Sequence, residues 1–421
     1  MLQINPPLPT KNLWLAFLFG ALFLLFPIAA ALSNVVLLLI LITWLVTLKG
    51  QGYGDIFKST PVLWFLSALY FVVLLGVTFT SSEWKWTSLH LSKYARFFYA
   101  IVIIFLLTMR EHIQKYAFNG FVMAMMITLS STWLNIWFVL PWSESKVIGW
   151  GQSHHVFGDY ITQNVMMAFF TVIATHKSFQ SPNTSLRVFW GITALLAAIS
   201  ITHLSEGRTG YVLLVAGLIS YALTMAKGKW LIASLTGIVL AATVALSPSS
   251  ILKSRFTQAF EEARNHEVDN MSSIGHRLYN YKITPQLIAE KPLFGHGTGA
   301  YHTEICRFVG KPDWCPIFSW HPHNQFLFLG ADHGLIGIGL YVLLILSLYR
   351  TALKSQRLDA KVLLSALATI LLIDSLINTP FWSSRESQFF AYLIGLLVSM
   401  SYQSSNPRNS SQQTAAKINN K

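Results

Sequence analysis

The chain has 421 residues, of which 53% are apolar and only 11% charged, with a mean hydropathy of +0.50. A soluble globular domain carries roughly 25% charged residues, so a chain this apolar must hide its surface in lipid, and it leaves no room for a soluble second domain apart from one loop. The formal net charge of +13 is spread along the sequence without the cluster a nucleic-acid groove or tail needs, which sets that class of partner aside.

Apolar runs fall at about 13–32, 33–48, 61–80, 95–109, 117–140, 159–175, 188–204, 211–226, 230–247, 326–349, 360–378 and 387–402. Several are shorter than the ~20 residues of a full span. They predict an all-α polytopic membrane protein of about twelve transmembrane helices, nine within 1–247 and three within 324–402. The first run ends in Ala29-Ala30-Ala31, which imitates a signal-peptide cleavage site. Only Lys11 precedes it and eleven runs follow, so it is read as an uncleaved helix. Residues 403–421, rich in Ser, Asn and Gln, are expected to form a disordered tail.

Basic residues give the orientation. With both termini inside, the short inside segments hold sixteen Lys and Arg; the short outside segments hold six, namely Lys85, Lys93, Arg96, Lys146, Arg208 and Arg385. Long loops cross regardless of charge and do not count in this comparison. The bias predicts cytoplasmic termini and an extracytoplasmic loop over 248–323.

That loop is amphipathic and is expected to fold on the membrane surface. It carries Arg277, the run Gly295-His296-Gly297-Thr298-Gly299 after Pro292, the chain's two cysteines Cys306 and Cys315, and His321-Pro322-His323. Glycines allow backbone N–H groups to approach an anion closely, but alone the run reads more readily as a plain loop. In an oxidising compartment the two cysteines, nine positions apart, are expected to pair.

His323-Asn324 is followed by nine residues and then Gly334-Leu335-Ile336-Gly337. This string resembles the signature of lipopolysaccharide O-antigen ligases and their relatives, the O-antigen polymerases and pilin oligosaccharyltransferases. Ser205-Glu206-Gly207-Arg208-Thr209-Gly210 looks like the family's arginine motif at an outer helix end. Gly275-His276-Arg277, with Pro292 to Gly297 downstream, looks like its second arginine and glycine turn. The resemblance implies transfer of O-antigen from undecaprenyl diphosphate to a sugar hydroxyl of lipid A-core, at the periplasmic face of a Gram-negative inner membrane. It implies membrane lipids as partners and no cofactor.

The residues supply the chemistry such a transfer needs. A lipid diphosphate leaves as a stable anion and needs positive charge where negative charge develops. No Asp-x-Asp motif for a divalent metal lies on the outer side; Glu267-Val268-Asp269 is the nearest approach. Arginine grips phosphate oxygens with two prongs, so Arg208 and Arg277 are the expected clamp. Arg208 could instead be a helix-end residue reaching for water, and Arg277 could pair with Glu262. The acceptor hydroxyl needs a base, for which a neutral histidine suits. His323 is the expected base, kept neutral by the positive end of the tenth helix; His321 is its rival. Asn324 is expected to hold the ring or the substrate, and Gly295, Gly297 and Asp159 to support the site. Zinc held by His321, His323 and His296 or His302 is a third arrangement. Gly330, Gly334 and Gly337 share one face of the tenth helix, for packing or for a polyprenyl chain. A polymerase is the nearest alternative function; a transporter or flippase is a third, but it calls for midplane charges and inverted repeats, whereas the charged motifs here are expected at the outer surface and no repeat is evident.

Overall fold

A computed structural model describes residues 10–47, 53–245, 251–264 and 271–402. The expected tail, Lys49 and the Glu267-Val268-Asp269 stretch lie outside the described residues. The chain is all-helical. Ten helices precede the loop: α1 (Thr10–Ile28), α2 (Ala30–Thr47), α3 (Tyr53–Ser59), α4 (Pro61–Gly76), α5 (Trp84–Leu107), α6 (Glu111–Leu134), α7 (Tyr160–Gln180), α8 (Thr184–His203), α9 (Arg208–Met225) and α10 (Lys229–Ala245). The loop region folds into α11 (Ile251–Arg264), α12 (Ser273–Glu290), α13 (Tyr301–Glu304) and α14 (Cys315–Phe318). It is followed by α15 (Gln325–Lys354), α16 (Leu358–Ile377) and α17 (Ser384–Ser401).

Each of the twelve apolar runs overlaps a helix, although the run 13–32 passes from α1 into α2 and the runs 61–80 and 117–140 extend beyond Gly76 and Leu134, where α4 and α6 end. By length and composition, six of the described helices can cross a membrane, or up to seven if α3 and α4, bent by 95°, form one span. The helix α17 falls outside that set for a physical reason. Every residue from Glu386 to Ser401 is buried, so protein rather than lipid surrounds it, and Ser387, Gln388 and Ser399 are tolerated there. Gln388 donates to Asn34 Oδ1 at 2.8 Å. The α5, α1, α6 and α15 helices wrap this C-terminal helix, while Phe17 (66% exposed), Leu195 (60%) and Leu346 (56%) point outward. An apolar exterior around a partly polar interior suits a lipid solvent.

The helix α15 is broken. Gly334 takes φ +62°, a backbone conformation that L side chains rarely adopt. Pro292 and Leu293 fill the break: Leu335 N–H donates to Pro292 O (2.7 Å) and Ile336 N–H to Leu293 O (3.3 Å). Gly330, Gly334 and Gly337 therefore do not form the continuous face expected from an unbroken helix. Gly330 admits Ile288 of α12, and Gly337 lies under the His333 side chain.

Candidate functional site

Arg208 is the first residue of α9, behind the N-cap Gly207. The turn before it is held by Asn164, which donates to Ser205 Oγ (2.8 Å) and Gly207 O (3.2 Å). The small residues of this motif have a steric cause. A Cβ on Gly207 would meet Asn164 Nδ2 at 2.6 Å, and one on Gly210 would meet Asn164 Cβ at 2.7 Å. Asn164 is thus a buried brace, as is Gln163, which accepts from Val156 N–H at 2.8 Å. The Arg208 fork meets Glu262 of α11, with Nη1–Oε2 at 3.0 Å and Nη2–Oε1 at 2.9 Å. That hydrogen-bonded arginine holds the Glu262 carboxyl below its usual range. The expected alternative partnership of Glu262 is therefore with Arg208 and not with Arg277.

Arg277 sits one turn into α12, whose N-cap Ser272 accepts from Gly275 N–H at 3.2 Å. Among the described residues no side chain hydrogen-bonds or ion-pairs with its guanidinium, and its Nε is buried without a partner. Burial lowers its pKa; Tyr281 acts against that, and the nearby Arg208 charge adds to it. One turn further on, Tyr281 OH reaches Leu376 O (2.6 Å) and His323 O (3.1 Å). Tyr281 thereby joins the arginine helix to the histidine turn and to the end of α16.

His323 adopts φ +52°, uncommon for a residue with a side chain. Its ring centroid lies 4.1 Å from that of His321 and 5.0 Å from that of His276. His323 Nδ1 is buried and unpartnered. His321 Nδ1 accepts the His323 N–H at 3.2 Å and lies 3.2 Å from Thr379 Oγ1. Accepting at Nδ1 makes His321 a neutral ring, which fits a pKa pushed down to about 3 by burial, then by His276 and Arg277. Burial, with His321, Arg277 and His276, pushes His323 down as well.

Three expected supporting residues act as scaffold. Asn324 caps α15, accepting from Leu327 N–H (3.0 Å) and donating to Leu376 O (3.1 Å). It is therefore committed to backbone rather than to ring or substrate. Gly295 and Gly297 spend their N–H groups on Lys291 O (3.0 Å) and Asp332 O (2.8 Å), so they cannot cradle an anion. A Cβ at Gly295 would meet the Asp332 carbonyl carbon at 2.5 Å, and one at Gly297 would meet Thr80 Cα at 2.5 Å. The glycine run is a clasp, closed by Asp332, which accepts from Gly299 N–H (3.0 Å) and Tyr301 N–H (2.9 Å) and lies 2.9 Å from His90 Nδ1.

Asp159 caps α7, bonding Thr162 N–H and Oγ1 at 2.8 Å each. It does line a cavity of about 400 Å³ together with His321, His323, Thr379, Lys93, Trp320, Trp382 and Glu386. Lys93, Glu386 and the ring of His276 were not singled out from the sequence. His276 had a signal, adjacency to Arg277; Lys93 and Glu386 reach the cavity only through helix packing.

The three-histidine zinc arrangement is not formed. His296 bonds Leu287 O (3.0 Å), and His302 lies between His90 Nε2 (2.8 Å) and Ser319 O (2.6 Å). Among the described residues no group of three or more His, Cys, Asp or Glu is placed to hold a metal. Cys306 and Cys315 form a disulfide with Cα atoms 5.1 Å apart. It closes the segment leading to Trp320 and His321.

Residues 192–342 match the family model described as Wzy_C, O-antigen ligase. That stretch runs from α8 through both arginines and the histidine turn and past the break in α15. An uncharacterized protein of Haemophilus influenzae (strain ATCC 51907 / DSM 11121 / KW20 / Rd) is 27% identical over 194 residues, covering 44% of this chain. The chain spans about half the length of that curated relative, 48%. Among solved structures, a chain from the study "Structural coordination of polymerization and crosslinking by a peptidoglycan synthase complex" superimposes with a TM-score of 0.47 at 14% identity. That match covers 82% of this chain and 98% of the other.

Proposed function

We propose that this multi-pass protein, which carries an O-antigen ligase family domain over residues 192–342, transfers O-antigen from undecaprenyl diphosphate to a sugar hydroxyl of lipid A-core. The family domain supports glycan transfer of the ligase or polymerase type. The finer reading places the reaction at the periplasmic face of the inner membrane. One arrangement carries it: Arg277, whose guanidinium has no hydrogen-bonded or ion-paired side chain among the described residues, follows His276, whose ring packs 5.0 Å from that of His323, and His323 and His321 line a cavity of about 400 Å³.

The reaction balances without another reagent. The acceptor oxygen attacks the anomeric carbon, and the bond from that carbon to the diphosphate oxygen breaks. The bonding pair leaves on the diphosphate, where Arg277 and Arg208 meet the new charge. The acceptor proton passes to the unpaired Nδ1 of His323. In the present environment His323 is a weak base. A bound diphosphate beside it favours the imidazolium form, so the donor itself strengthens the base that its transfer requires.

The lipopolysaccharide gel of a deletion strain tests the reading. Loss of all polymer on lipid A-core, with long chains retained on the lipid carrier, is the expected outcome. Core capped by a single repeat would assign a polymerase instead.

A further inference from the structure

A second polar cavity lies at the opposite end of the helices from His323. The helix α7 begins beside Asp159 in the catalytic cavity and ends at Gln180; α16 ends near Thr379 and begins at Leu358. About twenty helical residues, roughly 30 Å, separate the two ends. The far cavity, about 410 Å³, is lined by Lys115, Lys177, Arg357, His176, Gln114 and Asp359 among others.

Its charge is unbalanced. The carboxylate in its wall, Asp359, is engaged with His176 Nε2 at 2.8 Å. Lys115 and Lys177 form no ion pair among the described residues. The Lys177 ammonium is held 5.0 Å from the Trp190 ring centroid and 5.5 Å from that of Phe118, which positions it; Asp359, the nearby carboxylate it feels, is shared with His176 and Arg357. Arg357 is aimed by Gln114 Oε1 (3.1 Å) and touches Glu111 at 3.5 Å, leaving further N–H groups for an anion. Beside this opening, Phe179, Val188 and Phe189 are exposed on α7 and α8. A ligand placed here meets cations in the cavity and an apolar flank next to it.

We infer that this cavity binds the phosphate of an anionic glycerophospholipid, with the headgroup among Lys115, Lys177 and Arg357 and the acyl chains along the apolar flank. Basic pockets between spanning helices bind lipid phosphates in this way. The inference needs only that the chain spans a membrane; it does not depend on the transfer reaction.

Full-length protein in detergent, mixed with phosphatidylglycerol or phosphatidylcholine and counted by native mass spectrometry, tests it. Phosphatidylglycerol should be retained over phosphatidylcholine. Lys177→Gln and Lys115→Gln should each lower its occupancy, about fivefold per cation removed. Lys177→Arg, which keeps the charge, should hold the lipid, and millimolar inorganic phosphate should not displace it. Equal retention of the two lipids, unchanged occupancy in both glutamine variants, or loss of lipid in Lys177→Arg would overturn the inference. Displacement by inorganic phosphate would overturn it too, by assigning a free anion rather than a lipid headgroup.

Discussion

The Arg208 guanidinium and the Glu262 carboxylate meet in a two-pronged ion pair, at 2.9 and 3.0 Å, with side chains 21% and 13% exposed. Glu262 thus occupies the fork that a donor phosphate is proposed to take, and α11 must yield it for the donor to bind. Glu262→Gln should lower the KM for the lipid-linked donor by up to about fivefold, the scale of one partly exposed ion pair. An unchanged or raised KM in a detergent assay would show that Glu262 does not compete with the donor.

Among the described residues Arg277 has no hydrogen-bonded or ion-paired side chain to release, so its loss should act on binding and chemistry together. Arg277→Lys should cut kcat/KM by about 10²-fold or more, because an ammonium cannot make the two-pronged contact. Activity should persist in excess chelator if, as proposed, the two arginines supply the positive charge that a metal would. A strict requirement for magnesium or manganese would remove the clamp from the mechanism.

His323→Ala should reduce transfer by about 10²–10⁴-fold while donor binding survives. His321→Ala should be milder, because His321 accepts the His323 N–H and lies against Thr379. Both variants are compared at equal expression by the glycan attached to lipid A-core. Near-normal transfer by His323→Ala with a dead His321→Ala would move the base to His321.

The pH dependence follows from the same histidines. Their pKa values lie below the ordinary 6.5, so the working neutral form survives acidification in the free enzyme. The acid limb of kcat/KM should lie well below pH 6, and that of kcat higher, because bound diphosphate raises the pKa. The sign for stability is the usual one for a depressed pKa. Below about pH 6.5 the unfolded chain takes up protons that the native one refuses. Stability is therefore full above 6.5 and falls with pH toward the native pKa. Coincident limbs near pH 6.5 would contradict both statements.

The Cys306–Cys315 bond should be found closed in protein alkylated under non-reducing conditions. Removing it with Cys306→Ser and Cys315→Ser should cost about 2–3 kcal/mol in the loop. A reporter active only in the cytoplasm, fused near Asp313, should be silent.

Much was legible in linear order. The apolar runs overlap the helices because an apolar surface writes itself into contiguous residues, but which six or seven of those helices are long and apolar enough to cross a membrane was not legible from the runs. The two arginines and the histidine turn were legible because each is a local motif at a helix end. What the tertiary structure decided is whom each residue faces. Glu262 belongs to Arg208, Asn324 to the Leu376 carbonyl, and the glycine run to the Ala331 and Asp332 carbonyls, because such choices are made by chain segments distant in sequence that pack together. The break in α15 was hidden for the same reason: a glycine tolerates positive and negative φ alike, and it is the carbonyls of Pro292 and Leu293, accepting from Leu335 and Ile336 N–H, that accompany the non-helical backbone at Gly334.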